Sequence, residues 1–268
     1  MPVNLIGLPQ DNNSTYLTGP ADAPDAIRDA LHCDSSNLST ECGLDLGDTS
    51  WWQDLGDVAL GQLGGQAAFD AIHTAITAAQ EQGPVLALGG DHSVSWPAIT
   101  ACAAAHDGLS VLHLDAHPDL YDKMQDNPFS HASPFARLME TGRLTRLVQV
   151  GIRTLNPHQK AQADRFGVEI ISMRNLATVS ELAFDGPVYL SLDLDVLDPA
   201  YAPGVSHHEP GGLSTRQAID LVQAFAGRLV GADLVELNPR RDLNGVTAMV
   251  AAKLAKEIVA RLHRDSNR

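Results

Sequence analysis

Seven short runs of aliphatic and β-branched residues recur along the chain, separated by stretches with helical spacing, and this alternation limits the fold more than any other feature. The runs are VNLIGLP (3–9), PVLALGG (84–90), LSVLHLDA (109–116), RLVQVGI (146–152), VEIISM (168–173), PVYLSLDLD (187–195) and RLVGADLVEL (228–237). Helical patterns fall at about 23–32, 65–82, 95–105, 133–142, 157–166, 214–226 and 245–264. Apolar strands separated by helix-length segments predict an α/β fold of three layers, α/β/α, with a mostly parallel central sheet. No Pro/Ser-rich linker, low-complexity tract or internal repeat interrupts the pattern, so residues 1–268 read as one domain.

Sheets of this kind bind ligands at the carboxyl ends of their strands, near a switch in strand order. The chemistry-bearing residues fall there. Asp91 and His92 follow LALGG, Asp115, His117 and Asp119 follow VLHL, Asp193 and Asp195 close SLDLD, and Glu236 ends LVEL. An extended backbone would point Asp115, His117 and Asp119 to one side. Carboxylates crowded at the end of a buried strand need a positive partner. His92, Asp115, His117, Asp119, Asp193 and Asp195 offer carboxylates and imidazoles with no thiolate, a donor set that favours manganese over a structural zinc site. Four carboxylates exceed what one divalent cation requires, whereas two ions about 4 Å apart, sharing carboxylates and a solvent molecule, account for the number. Taken alone, each segment has an ordinary reading, since Asp91 or Ser93 after Gly89-Gly90 could simply cap a helix.

A formal net charge of -15 argues against a polyanionic partner such as nucleic acid, and no nucleic-acid partner is expected. Cys33, Cys42 and Cys102 form no C-x-x-C pair, cannot all pair with one another, and read as core residues of a protein in a reducing compartment. MPVNLIGLPQ lacks the pattern of a signal peptide, and no stretch approaches the roughly 18 apolar residues of a membrane helix. A cytoplasmic location is the expectation.

GGDHS (89–93), DAHPD (115–119) and SLDLDVLDPAYAPG (191–204) resemble the three signature blocks of the ureohydrolase family of arginases and agmatinases. GPADAPDAIRDAL (19–31) and ELNPRRDLNGVTAMVAAKL (236–254) are similar to its terminal segments, so the likeness covers nearly the whole chain. The resemblance implies an arginase-like fold, two manganese ions per chain, hydrolysis of a guanidino compound to urea and an amine, and a homo-oligomer, trimer or hexamer. Carried over by position, it puts one ion on His92, Asp115, Asp119 and Asp193 and the other on His117, Asp115, Asp193 and Asp195, with Asp115 and Asp193 as bridges. Asp119 would also orient the attacking hydroxide, His131 in SHASPF would transfer protons, and Glu236 would hold the guanidinium.

Departures from the pattern bear on the substrate. Arginases continue the second block with Asn and Thr that bind the amino acid's α-groups, whereas Leu120, Tyr121 and Asp122 follow Asp119 here, which points away from arginine. SHASPFAR and the EPGGL after Ser206 lean toward the agmatinase branch, although Ala132 replaces its usual Gly. Ser206-His207-His208 stands where agmatinases read Gly-Thr-Pro, and Val205-Ser206 is similar to formiminoglutamases. An agmatine-like guanidino amine is therefore the expected substrate and formiminoglutamate the alternative. More remote are a single-zinc deacetylase-like enzyme and an inactive binding homologue, though neither would be expected to keep every ligand. His207 and His208 are candidate substrate contacts. His113 reads as a core histidine or a group behind the ligands, Trp51-Trp52 as packing or a subunit contact, and Asp198 as a turn residue.

Overall fold

The computed structural model describes residues 1–267, which form one eight-stranded sheet in which every neighbouring pair is parallel. Its strands are β1 (Val3–Leu8), β2 (Trp52–Asp57), β3 (Val85–Gly89), β4 (Ser110–Leu114), β5 (Arg146–Ile152), β6 (Glu169–Ser172), β7 (Ala183–Asp193) and β8 (Ala226–Val235). Their spatial order is β2-β1-β3-β8-β7-β4-β5-β6. Helices α1 (Ala23–His32), α6 (Thr215–Ala224) and α7 (Val246–Ser266) cover one face, packing Ile27, Ile219 and Ile258 on Leu86, Leu112 and Leu190. The other face carries α2 (Gly65–Gln80), α3 (Ser95–Ala105), α4 (Pro134–Glu140) and α5 (Pro157–Phe166), which bury Ile76, Ile99, Phe135 and Ala163 with Val85, Val111 and Leu147. A strand with helices on both sides must be apolar on both faces, which is why β3 and β4 read as unbroken hydrophobic runs.

Local chemistry sets the helix ends. Asn156 caps α5 by accepting from the Gln159 amide, and Gly167 closes it in the left-handed region at φ 67°. Ser214 and Gln217 form a reciprocal capping box at α6. One strand escapes the sequence pattern, because β2 (WQDLGD) is an edge strand exposed over most of its length and carries little of the apolar signal that marks the others. Trp51 and Trp52, at its start, are buried in the core beside α1 and α7; the Trp52 indole donates to the Leu46 carbonyl at 2.8 Å, and the Trp51 ring lies 4.9 Å from that of His263. They are packing residues. Only Cys102 of the three cysteines is in the core, while Cys33 is half-buried and Cys42 exposed; all three are free.

Because β3, β8, β7 and β4 are neighbours in the sheet, their carboxyl ends open on one crevice. The chain reaches it through Gly90, whose amide neighbour Asp91 donates to the Gln10 carbonyl at 2.7 Å. A Cβ on Gly90 would sit 1.8 Å from that carbonyl oxygen, a collision between two backbones that no side-chain rotation relieves. Gly90→Ala should therefore destabilise the fold by about 3 kcal/mol, at the upper end of ordinary overpacking. Thermal or urea unfolding checks this, and a wild-type midpoint would show that the Gln10 segment yields freely.

Candidate metal centre

His92 enters the crevice from β3, in a short turn capped by Asp91. Its Nδ1 faces three carboxylate oxygens: Asp115 Oδ2 at 3.1 Å, Asp119 Oδ2 at 3.2 Å and Asp193 Oδ2 at 3.1 Å. A second group adjoins it, with His117 Nδ1 2.9 Å from Asp195 Oδ2 and 3.4 Å from Asp115 Oδ1. Asp115 thus presents one oxygen to each imidazole, the arrangement expected of a carboxylate shared between two ions. Asp193 reaches the first group through Oδ2, while its Oδ1 accepts from the Asp195 amide at 2.7 Å. The structure brings together all six residues that the sequence nominated.

The backbone that does this is not extended, as the alternation of Asp115, His117 and Asp119 suggested. β4 ends at Leu114, and Asp119 lies at φ 50°, a left-handed conformation that costs a non-glycine residue of order 1 kcal/mol or more. Glu236, just past β8, is held similarly at φ 65°. Local strain of this kind persists only where surrounding contacts over-determine it. Here it turns both carboxylates toward the crevice.

Charge explains why the cluster calls for cations. Burial, reinforced by Asp195 and Asp115, raises the Asp193 carboxyl well above its ordinary range. Burial also pushes Asp195 up to about 6 against the pull of His117. Burial opposes charge on His92, yet the three carboxylates of Asp115, Asp119 and Asp193 that face it outweigh burial and raise that imidazole well above its usual value. The carboxylates draw positive charge from whatever is present, proton or metal ion.

Beneath the cluster runs a fully buried polar row, one residue from each of four adjacent strands in register: Gln149 on β5, His113 on β4, Ser191 on β7 and Asp233 on β8. Ser191 donates to Asp233 Oδ1 at 2.7 Å, so its oxygen is free to accept from His92 Nε2 at 3.0 Å. In the neutral ring this fixes the His92 proton on Nε2 and leaves the Nδ1 lone pair, which has no hydrogen-bond partner, aimed at the carboxylates. An orphaned buried nitrogen among three carboxylate oxygens fits a divalent cation. In the same way Gln149 Nε2 donates to His113 Nδ1 at 3.0 Å, so His113 Nε2 donates to Asp115 Oδ2 at 2.8 Å. His113 therefore stands behind Asp115 and orients it.

A cleft of about 220 Å³ lies above the centre, lined among others by His117, Asp119, Tyr121, His131, Asn156, His207 and Glu236. His131 Nδ1 is 2.8 Å from Glu236 Oε1, and the same oxygen accepts the His92 amide at 3.0 Å. Burial disfavours an imidazolium at His131, but the Glu236 charge prevails and raises its pKa to about 9. The pairing correspondingly lowers Glu236. His207 lies against this pair, its ring 5.2 Å from that of His131. His208 is not among the residues lining the cleft: it is exposed, and its Nε2 bonds to the Pro203 carbonyl at 2.7 Å. Asp198 accepts from the amides of Ala200, Gly211 and Gly212 and is a turn residue.

Sequence reasoning overlooked Thr15, whose amide and hydroxyl lie 3.2 and 2.9 Å from His131 Nε2. Nothing in NNSTYLTG marks it. The signal lies in Asp91, fully buried and accepting from the Asn13 amide and the Ser14 hydroxyl, which carries the N-terminal loop over the cleft.

A parallel α/β/α sheet with a buried carboxylate–imidazole cluster at its carboxyl edge, and the His131–Glu236 pair lining the cleft beside it, is the arrangement of a candidate metal centre. Comparison with known proteins narrows this to one family. The model of the Arginase family matches residues 1–260. Arginase 1, mitochondrial, of Arabidopsis thaliana is 44% identical over 97% of this chain and 81% of its own. Guanidinopropionase of Pseudomonas aeruginosa is 34% identical over 99% of this chain and 88% of its own. The solved arginase of Medicago truncatula superposes with a TM-score of 0.92 at 40% identity, covering 97% of this chain and 87% of that one. The chain belongs to the arginase family.

Proposed function

We propose that this protein hydrolyses the guanidino group of a linear guanidino acid, with arginine its first substrate, releasing urea and an amine at a pair of manganese ions. The observation that carries the reading is the Glu236–His131 pair set across the cleft from the His92/Asp115 and His117/Asp195 groups. His92, Asp115, His117, Asp119, Asp193 and Asp195 would hold the divalent cations, whose charge would bring a water molecule's pKa toward neutrality. The chain does the rest. Glu236, fixed by the His92 amide, pairs with the guanidinium and presents its planar carbon to the centre. Asp119 orients the attacking oxygen, and His131 furnishes the proton the departing nitrogen requires.

The tail of the substrate is chosen at the outer wall. The acidic groups lining the cleft, Asp119, Asp193, Asp195 and Glu236, all belong to the centre and its guanidinium seat, so a tail whose only charge is an ammonium, as in agmatine, finds no free carboxylate among the other lining residues, whereas the arginine tail also brings a carboxylate. Tyr121, Thr154, Asn156 and Gln159 line that end instead, and Asn156 is the cap of α5, whose amino terminus favours negative charge. A carboxylate tail fits this wall. The relatives named arginase and guanidinopropionase support the same choice, and the expectation that Leu120-Tyr121-Asp122 points away from arginine gives way to it. Agmatine remains the competing substrate, favoured by the resemblance of SHASPFAR and EPGGL to the agmatinase branch.

The test is a screen of manganese-loaded protein with arginine, agmatine, guanidinobutyrate, guanidinopropionate and formiminoglutamate, reading urea or formamide, alongside metal counting. Two ions per chain and the highest kcat/KM on arginine are expected. Preference for agmatine would refute the reading of the outer wall, and formamide as the main product would replace the reaction. One tightly held zinc in an active enzyme would overturn the two-ion centre.

A further inference from the structure

Both ring nitrogens of His131 are occupied. Nδ1 meets Glu236 Oε1 at 2.8 Å, and Nε2 meets the Thr15 amide at 3.2 Å and the Thr15 hydroxyl at 2.9 Å. A backbone N–H can only donate, so Nε2 is the acceptor in the neutral ring and the Nδ1 proton goes to Glu236. A ring in this position cannot hand a proton straight to a molecule in the cleft without breaking one of these contacts. The hydroxyl is different, because it both donates and accepts, and Thr15 itself lines the cleft.

We propose that Thr15 is the hydroxyl through which His131 passes protons to the leaving nitrogen, an inference that rests on the hydrolytic reading above. In the charged ring Nε2–H is donated to Thr15 Oγ1 and the contact with the Thr15 amide is given up. As the C–N bond breaks, the electron pair left on nitrogen takes the Oγ1 hydrogen while Oγ1 takes the hydrogen of Nε2. The Nε2–H bond and the original Oγ1–H bond are lost, a new Oγ1–H bond and an N–H bond are made, the hydroxyl is regenerated, and the ring ends neutral with Nε2 accepting from the Thr15 amide.

The loop that carries Thr15 is built to hold it there. Asn13 donates its amide to Asp91 Oδ2 at 3.0 Å and its side chain to Ser93 at 3.0 Å, and its carbonyl accepts the His131 amide at 3.2 Å. Beyond Thr15, Ser206 donates to the Leu17 carbonyl at 3.4 Å and Asn238 to that of Thr18 at 3.3 Å. Asp11 accepts the Gly19 amide at 2.6 Å and closes the loop at its base. Thr15 is anchored on both sides and half-buried.

Thr15→Val keeps the shape and the backbone N–H and removes only the hydroxyl, whereas Thr15→Ser keeps the hydroxyl and removes a methyl. In the manganese-loaded enzyme Thr15→Val should lower kcat by about 10-fold or more, with Thr15→Ser within about threefold of wild type, as for loss and retention of a proton-transfer group. KM, metal content and thermal midpoint should not move in either. Rates in mixtures of light and heavy water should bend for the wild type, where two protons move together, and run straight for Thr15→Val. Wild-type turnover in Thr15→Val, or an equal fall in both variants, overturns the relay and leaves the hydrolase standing. A wild-type enzyme that releases urea from none of the guanidino compounds removes the hydrolytic reading and this inference with it.

Discussion

Asp115→Ala should leave the chain unable to hold either metal ion and should abolish urea release. Asp115 is the carboxylate whose two oxygens face different imidazoles, His92 at 3.1 Å and His117 at 3.4 Å, so its removal opens both groups at once. The loss of affinity should exceed the roughly 10- to 100-fold cost of removing a mere supporting partner of a ligand. Asp193→Ala should likewise lose both ions, whereas His117→Ala should weaken only the group it shares with Asp195. Metal counting after dialysis separates the three. Retention of two ions by Asp115→Ala would show that the centre is organised around another carboxylate.

His131→Asn should keep both ions and lower turnover by about 10²-fold or more, the usual contribution of a placed acid or base. Glu236→Gln should act differently. An amide oxygen still accepts from the His92 amide, but the negative charge that pairs with guanidinium is gone, so KM rises. Its effect on pH follows from the pairing. Beside Glu236 the His131 pKa is raised to about 9, so the ring stays charged through neutrality and loses its proton only on the alkaline side. Whatever stability the pair contributes is fully present below the ordinary histidine pKa and is lost as pH climbs toward about 9. In Glu236→Gln the alkaline limb of the rate profile should move to lower pH. A limb that stays in place would detach His131 from the rate-determining proton transfer.

The sequence displayed the framework and the ligands for the same reason. Strands buried on both faces write themselves as apolar runs, and charged residues at the ends of such runs stand out because burial makes them costly. His92, Asp115, His117, Asp119, Asp193 and Asp195 were visible on those grounds. The edge strand β2 was not, since WQDLGD faces outward over most of its length. Nor was the polar row of Gln149, His113, Ser191 and Asp233, whose members are single residues joined only by strand register. Thr15 was invisible because its partner lies 116 positions away. The left-handed turn at Asp119 overrode the alternation that suggested an extended run, and His208 shares a loop with His207 while turning toward Pro203.

The order of the strands has a consequence for how the molecule comes into being. β8, the last to be synthesised, lies between β3 and β7 in the middle of the sheet and pairs Val85 with Gly231 and Asp193 with Val235. Until it is inserted, β2-β1-β3 and β7-β4-β5-β6 are two half-sheets with open edges, so His92 stands on one piece and Asp115 and Asp193 on the other. Joining them requires contacts across well over a hundred residues, the kind of closure that makes folding slow. The six candidate ligands, all at or before Asp195, therefore precede in the chain the strand that brings the two halves of their site together.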